Sequence, residues 1–431
     1  MDASQPETDA ARYASFAAEL YESCIISDPW IEGRERFTLE PVVIPEALYQ
    51  RFRAAGEAVA QVFEELCGIV WERPELLDDY FNMTPWQKTM WMMSAGRWHG
   101  IARLDLFLLP DGSIQICEMN SDTPSGEAEA VILNRILHRF HPGLVDPNAN
   151  FEQEFVDMTM ESYRSARGEK AVETPSVGII YPTDLPEDLS MIELYRRWFE
   201  SRGSTVVLGS PYNLHRRGTG GIYLFDTRVE IILRHYKTDW WSERLPSWND
   251  EAEYDDPDPL DIELRDLLEA ESDSEVAIVN PFGAVLTQNK LGMAFCWDSL
   301  ELFSEAAAET IRLYIPESHR LIDTAPERLE RNNWVLKSDY GCEGAEVVVG
   351  AMVSDDIWER SLEAAIADRW IVQRFFDAAR VRGDMIPNYG LYLLGGRAAG
   401  IFTRLSPGAT DYGSVTAATY IARESRSQEL K

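Results

Sequence analysis

Three oxygen-bearing residues on one short stretch of this chain, Asp105, Glu118 and Asn120, could hold a hard cation. Segment 101–120, IARLDLFLLPDGSIQICEMN, has two apolar runs around a PDGS turn, the pattern of a β-hairpin. If Leu109 pairs with Ile114, paired positions sum to 223, which sets Asp105 opposite Glu118 and Arg103 opposite Asn120. Even spacing puts these four on one face, while Leu104, Leu106, Cys117 and Met119 make the other face apolar. Two carboxylates directly opposed on adjacent strands repel unless something neutralises them. A divalent cation would do so, because Mg²⁺ takes oxygen ligands from Asp, Glu and Asn together with waters and substrate phosphates. The alternative is a solvated strand face on which Arg103 bridges the two acids.

Lysine usage adds a second signal. Of 40 basic residues only six are lysine, namely Lys88, Lys170, Lys237, Lys290, Lys337 and Lys431. A chain that uses arginine for general positive charge keeps lysine where a compact ammonium works and a guanidinium fork does not. Lys337 ends the strand pattern NWVLK and is followed by SDYGCEGAEVVV, with Gly341 and Gly344 three apart. Such a segment can form a flap whose amides and ammonium meet phosphate oxygens; an ordinary hairpin with a surface lysine is the alternative. Lys290 lies in the apolar stretch VLTQNKLGMAF, where it must either snorkel or meet an anion. Arg404, in GIFTRLS, could clamp a phosphate or carboxylate, or form a structural salt bridge. His138 and His141 suit a helix end better than a metal, and Cys342 on the flap is read as incidental. The chain has neither the GxSxG of hydrolases nor a Walker-type P-loop.

The elements that must position these residues read as a mixed α/β chain. Residues 1–82 show helical spacing, around Tyr13, Phe16 and Leu20 and again around Val59, Val62, Phe63 and Leu66. A helix is expected over 126–138 after the SDTPSG segment. From about residue 175 strands and helices alternate: VGIIY (177–181), a helix over 191–203, TVVLG (205–209) and EVAIVNP (275–281). GIYLFDTRVEIILRHY (221–236) reads as a hairpin, and the acidic stretch 248–261 as a solvated loop. The last third reads as strands at 333–337, 346–350 and 369–376, a helix near 356–368, and a final hairpin over 389–406 turning at Gly395 and Gly396.

Composition bounds the function classes. The 431 residues, 45% hydrophobic, supply two or three domains' worth of core. No apolar run is long enough to span a membrane, and the acidic N-terminus lacks a signal pattern. Five scattered cysteines without CxxC spacing suit free thiols in a reducing compartment, so a cytoplasmic protein is expected. A net charge of −33 repels phosphate backbones, which argues against nucleic acid and is compatible with a cationic small substrate.

The ordered set RxD (Arg103, Asp105), ExN (Glu118, Asn120) running into SDTPSGEAEA, NPFGAVLTQNKLGMAFCW, NNWVLKSDYGCEGAEVVV, RWIVQRFF and GLYLLGGRAAGIFTRLS resembles the glutathionylspermidine synthetase-like family. These are circularly permuted ATP-grasp carboxylate–amine ligases, and the resemblance runs from about residue 85 to 406. It implies an ATP-grasp fold with an inserted preATP-grasp, Rossmann-like subdomain. The implied division is a helical region at 1–84, the metal-site hairpin and following helices at 85–170, the α/β insert at 171–285 and nucleotide-binding subdomains at 286–431.

The resemblance also implies roles. Asp105, Glu118 and Asn120 would hold Mg²⁺, and Lys290, Lys337, Gly341, Gly344 and Arg404 would meet ATP phosphates. Gln373 would lie near the adenine-side hinge, and Arg103 would stabilise the transition state that forms an acyl phosphate. Thr123 and Ser125 would contact the acid substrate. A peptide acid and a polyamine-like amine are the implied substrates. Cys342 and Glu346 depart from the family's usual covering loop, as does SVTAATY from its usual ending, so a nucleotide or peptide binder without turnover is the alternative.

Overall fold

Alternating and continuous apolar runs assemble into three sheets that carry the site. The structure is a computed structural model describing residues 9–185, 188–218, 220–241, 243–252, 260–341 and 346–423. In chain order the strands of these three sheets are β1 (Phe37–Pro45), β2 (Ile101–Leu108), β3 (Ile114–Asn120), β4 (Val177–Ile180) and β5 (Val206–Gly209). They continue with β6 (Ile231–Arg234), β7 (Ala277–Val279), β8 (Ser318–Arg320), β9 (Trp334–Ser338) and β10 (Val347–Val349). The last are β11 (Trp370–Arg374), β12 (Ile386–Leu394), β13 (Arg397–Ser406) and β14 (Val415–Ala422). The helices that matter here are α1 (Asp9–Ser23), α2 (Glu46–Glu72), α3 (Phe151–Arg167), α4 (Leu189–Glu200) and α5 (Leu291–Asp298).

The largest sheet has the order β1-β14-β13-β12-β2-β3, antiparallel except where β14 runs parallel to β1. One face presents Leu104, Leu106, Leu391 and Ile401 to the buried stripe Phe52, Val59, Phe63 and Leu66 of α2. Each such side chain contributes about 1.5–3 kcal/mol on burial. The opposite face carries the polar residues of the hairpin. A second sheet, β7-β6-β4-β5, is parallel throughout. β4, β6 and β7 are buried on both faces, the edge strand β5 is half-buried, and α4 crosses between β4 and β5. The third, β8-β11-β9-β10, is antiparallel.

Several elements differ from the sequence expectation. Residues 37–45, inside the region read as helical, form β1 and pair with β14, so the two ends of the chain share one sheet. β14 itself, in the Ala/Thr-rich SVTAATY stretch, has no outward strand signal and is stabilised by neighbours on both sides. The expected 221–236 hairpin is divided. Ile222–Leu224 and Thr227–Arg228 pair with each other, whereas β6 leaves them to become a central parallel strand. Residues 253–259 of the acidic stretch, and Cys342 and Gly344, lie outside the described residues. No described helix is long and apolar enough to cross a membrane.

Candidate active site

The β2–β3 hairpin sets the site's register by a route the turn alone does not reveal. Leu108, not Leu109, pairs with Ile114, and Gly112 takes the left-handed conformation (φ +84°) in the tighter turn. Cys117 is then an extra residue, a bulge between the Asp105/Glu118 and Leu106/Ile116 pairs. The bulge restores the offset, so Asp105 faces Glu118 and Arg103 faces Asn120, as the sequence reading expects. It also gives the Cys117 carbonyl a partner outside the sheet, the Lys337 ammonium at 3.0 Å.

Asp105 is 4% exposed and fully engaged. Arg103 Nε donates to its Oδ1 at 3.0 Å, and Arg404 Nη2 and Asn388 Nδ2 donate to its Oδ2 at 2.8 and 3.0 Å. Burial pushes this carboxyl up, but the two guanidiniums and Asn388 outweigh it and hold it down at about 2. Arg103 lies across Gly390, where a Cβ would come within 2.8 Å of its Cδ. Its Nη1 donates to the Ser125 carbonyl at 2.8 Å, which also accepts from Tyr392 Oη at 2.9 Å.

Lys290 reaches the same place from the link before α5. Its Nζ is 3.2 Å from Glu118 Oε1 and donates to the Gly341 carbonyl, while its backbone N–H donates to the Asp339 carbonyl at 2.9 Å. Lys337, on β9, donates to Gln373 Oε1 on β11 at 2.8 Å, and Gln373 Nε2 donates to Ser318 Oγ on β8. Arg103, Asp105, Glu118, Lys290, Lys337, Gly341, Gln373 and Arg404 therefore form one connected cluster. Asn120 sits beside it through its pairing with Arg103, and its Nδ2 makes no hydrogen bond. Thr123 lies apart, lining a small cavity with Tyr195, Arg234 and His235, and Ser125 joins the cluster through its carbonyl.

The oxygen donors Asp105, Glu118 and Asn120 suit Mg²⁺ in kind, and the free amide of Asn120 leaves its oxygen able to turn toward a metal. No group of three or more His, Cys, Asp or Glu suited to a metal occurs among the described residues. Four cations (Arg103, Lys290, Lys337, Arg404) surround two carboxylates, so the cluster by itself attracts anions.

Several supporting residues have no signal in the sequence reading. Asp122 and Arg234 form a fully buried pair at 2.5 Å that ties the end of β3 to β6. Asn280 binds the backbone of Gly100, Ile101, Ser121 and Asp122 at once. Asp339 and Arg369 pair through Arg369 Nε and Nη2, fixing the strand end that holds the Lys290 backbone. Each pair joins residues far apart in sequence, which no local pattern reports.

Comparison with known proteins bears on the fold and the family. No curated protein matches the chain. A glutathione synthetase-like effector from Globodera pallida, solved in apo form, superposes with a TM-score of 0.62 at 13% identity, covering 97% of this chain and 98% of that one. That match shows a common fold. A putative gamma-glutamylcysteine synthetase from Methylobacillus flagellatus matches at TM-score 0.46 and 13% identity over 84% and 86% of the two chains. The family model described as glutathionylspermidine synthase preATP-grasp matches residues 42–421, and the chain belongs to that family.

Proposed function

We propose that this protein is an ATP-dependent carboxylate–amine ligase on a circularly permuted ATP-grasp fold. The order of its parts supports this: the parallel sheet β7-β6-β4-β5 is inserted between the acidic hairpin and the strands bearing Lys337 and Gln373. Residues 1–84, 85–170, 171–285 and 286–431 are the corresponding units, with β1 lending the first of them to the main sheet. The observation that carries the proposal is the convergence of Asp105 and Glu118 with Lys290, Lys337, Arg103 and Arg404. Opposed acids and rare lysines in one cluster suit a metal–triphosphate complex.

In this scheme Asp105, Glu118 and Asn120 would hold Mg²⁺, which when bound neutralises phosphate charge. Lys290, Lys337 and Arg404 bind the phosphates together with Gly341 and Gly344, the latter outside the described residues, while Gln373, near the adenine side, holds the Lys337 ammonium. Arg103 stabilises charge on the phosphoryl as it moves to the substrate carboxylate. Thr123 and Ser125 border the acid, and an amine then displaces phosphate to leave an amide. A small peptide acid and a polyamine-like amine are the proposed substrates, in a cytoplasmic setting that suits the unbridged Cys24, Cys67, Cys117 and Cys296. Nucleic acid and membrane are not proposed partners.

One observation favours a second reading, a nucleotide or peptide binder without turnover: both oxygens of Asp105 are already taken by the chain's own cations. ADP release separates the two. Wild type with Mg·ATP, peptide acids including glutathione, and amines including spermidine should release ADP only when acid and amine are both present. Asp105→Asn and Lys337→Ala should abolish release. ATP binding with no ADP release across the matrix would favour the binder, and no ATP binding would end both proposals.

A further inference from the structure

The ligase scheme leaves one buried acid without a task. Glu127 is 0% exposed, and neither carboxyl oxygen has a hydrogen-bond partner in good geometry. Buried carboxylates ordinarily have a cation or several donors. Its neighbour Glu129 follows that rule, pairing with Arg36. The groups facing Glu127 are Arg103 from β2, Glu129 from its own helix, and the hydroxyls of Tyr195 from α4 and Tyr392 from β12. Arg103 is the one cation among them, and it is committed to Asp105 and the Ser125 carbonyl. Tyr392 is likewise committed to Ser125. Tyr195 remains. Its hydroxyl faces Glu127 outside ideal hydrogen-bond geometry, its ring stacks on Phe155, and it lines the small cavity shared with Thr123 and His235.

We propose that Glu127, acting through the Tyr195 hydroxyl, accepts the proton that the amine substrate sheds before it attacks the acyl phosphate. The proposal rests on the ligase reading and adds a positioning residue to it. An amine arrives as an ammonium, which has no lone pair and cannot attack. The reaction must therefore remove two protons from that nitrogen. One passes through Tyr195 to Glu127 and then to solvent. The other leaves with phosphate as the new C–N bond forms and the C–O bond to phosphate breaks. The products are the amide, hydrogen phosphate and one proton.

The environment of Glu127 suits this task. Burial raises its carboxyl to about 8, so at rest it is largely neutral and costs the fold no buried charge. An ammonium entering the neighbouring cavity supplies the counter-ion that the chain withholds, and Glu127 then ionises. A carboxylate of that basicity is a far better match to an alkyl ammonium than an ordinary glutamate.

Hydroxylamine tests the idea, because it is unprotonated at neutral pH and attacks acyl phosphates without a base. With ATP and glutathione, Glu127→Gln and Tyr195→Phe should both keep hydroxamate formation near the wild-type rate. Amide formation with spermidine should fall about a hundredfold or more. With spermidine far below saturation, the wild-type rate should rise through about pH 8, where Glu127 of the free enzyme titrates, and that rise should be missing in both variants. Independently of turnover, resting wild type at pH 7 should show a protonated-carboxyl infrared band, absent in Glu127→Gln and lost when spermidine is added. Equal loss of hydroxamate and amide, retention of both, or absence of the band would overturn the proposal. Wild type forming neither product with any acid of the matrix would instead remove the ligase reading, and this inference with it.

Discussion

The buried Asp122–Arg234 pair should be the strongest single tie between the hairpin and the parallel sheet. Asp122 is 1% and Arg234 0% exposed at the side chain. Asp122 Oδ1 accepts from Arg234 Nη2, and Oδ2 accepts from the Thr238 backbone N–H at 2.7 Å and its hydroxyl at 3.1 Å. Arg234 Nε and Nη1 also donate to the carbonyls of Asn280 and Tyr236. Asp122→Ala removes the acceptor for three donors at once and strands a guanidinium. An unpaired buried charge costs about 3–5 kcal/mol, a range that already contains the roughly 1–3 kcal/mol for each neutral donor left unmet. Arg234→Met should cost a similar amount, because it leaves the carboxylate uncompensated. The double variant Asp122→Leu with Arg234→Met removes both charges, so its loss should fall short of the sum of the single variants by about 2 kcal/mol or more. Urea titration followed by tryptophan fluorescence measures these differences, and hydrogen exchange over 121–128 and 231–238 shows whether the junction opens first. Single variants that each cost under about 1 kcal/mol, or strictly additive losses, would show that the pair does not couple the two sheets.

Three further outcomes are expected. Because four cations surround Asp105 and Glu118, Mn²⁺ alone should bind weakly, ATP should strengthen its binding, and Arg404→Gln should strengthen binding of the free ion; electron paramagnetic resonance reads all three, and tight Mn²⁺ binding to wild type without nucleotide would contradict the charge count. Burial lowers His99 to about 4, so the unfolded chain takes up a proton near pH 6.5 that the folded one refuses; stability should fall by roughly 2–3 kcal/mol between pH 6.5 and 4, and His99→Gln should flatten that slope in acid denaturation. Glu127 has the opposite sign. Its raised folded value means stability is complete below about pH 4.5 and is lost as pH rises toward 8, so Glu127→Gln should gain on wild type by up to roughly 4 kcal/mol across that window in pH-dependent urea unfolding, and an unchanged difference would show that Glu127 is not held neutral.

The hairpin shows how a sequence can be read correctly at the site and wrongly at the turn. Opposed acids demand a partner, and Asp105 and Glu118 are indeed opposed. The pairing near the turn is one residue off, and the Cys117 bulge corrects it. A bulge has no reliable composition signal, because it depends on what the extra residue meets, here Lys337 from another sheet. The scarcity of lysine pointed to Lys290 and Lys337 for a related reason: an ammonium can satisfy several carbonyl and amide acceptors in a tight space. The sequence allows Arg404 either a ligand clamp or a structural bridge, and in the structure it pairs with Asp105.

Local chemistry was therefore legible from the chain alone: the hairpin, the apolar parallel strands, the paired acids and the rare lysines all follow from residue type and period. Long-range partnership was not. That β1 and β14 complete one sheet, that β6 leaves its hairpin, that Asp122 finds Arg234 and that Glu127 finds no cation are decided by which surfaces meet after folding. Periodicity reports how a segment buries one face. It carries no information on which distant segment supplies the charge, the hydrogen bond or the empty space on the other side.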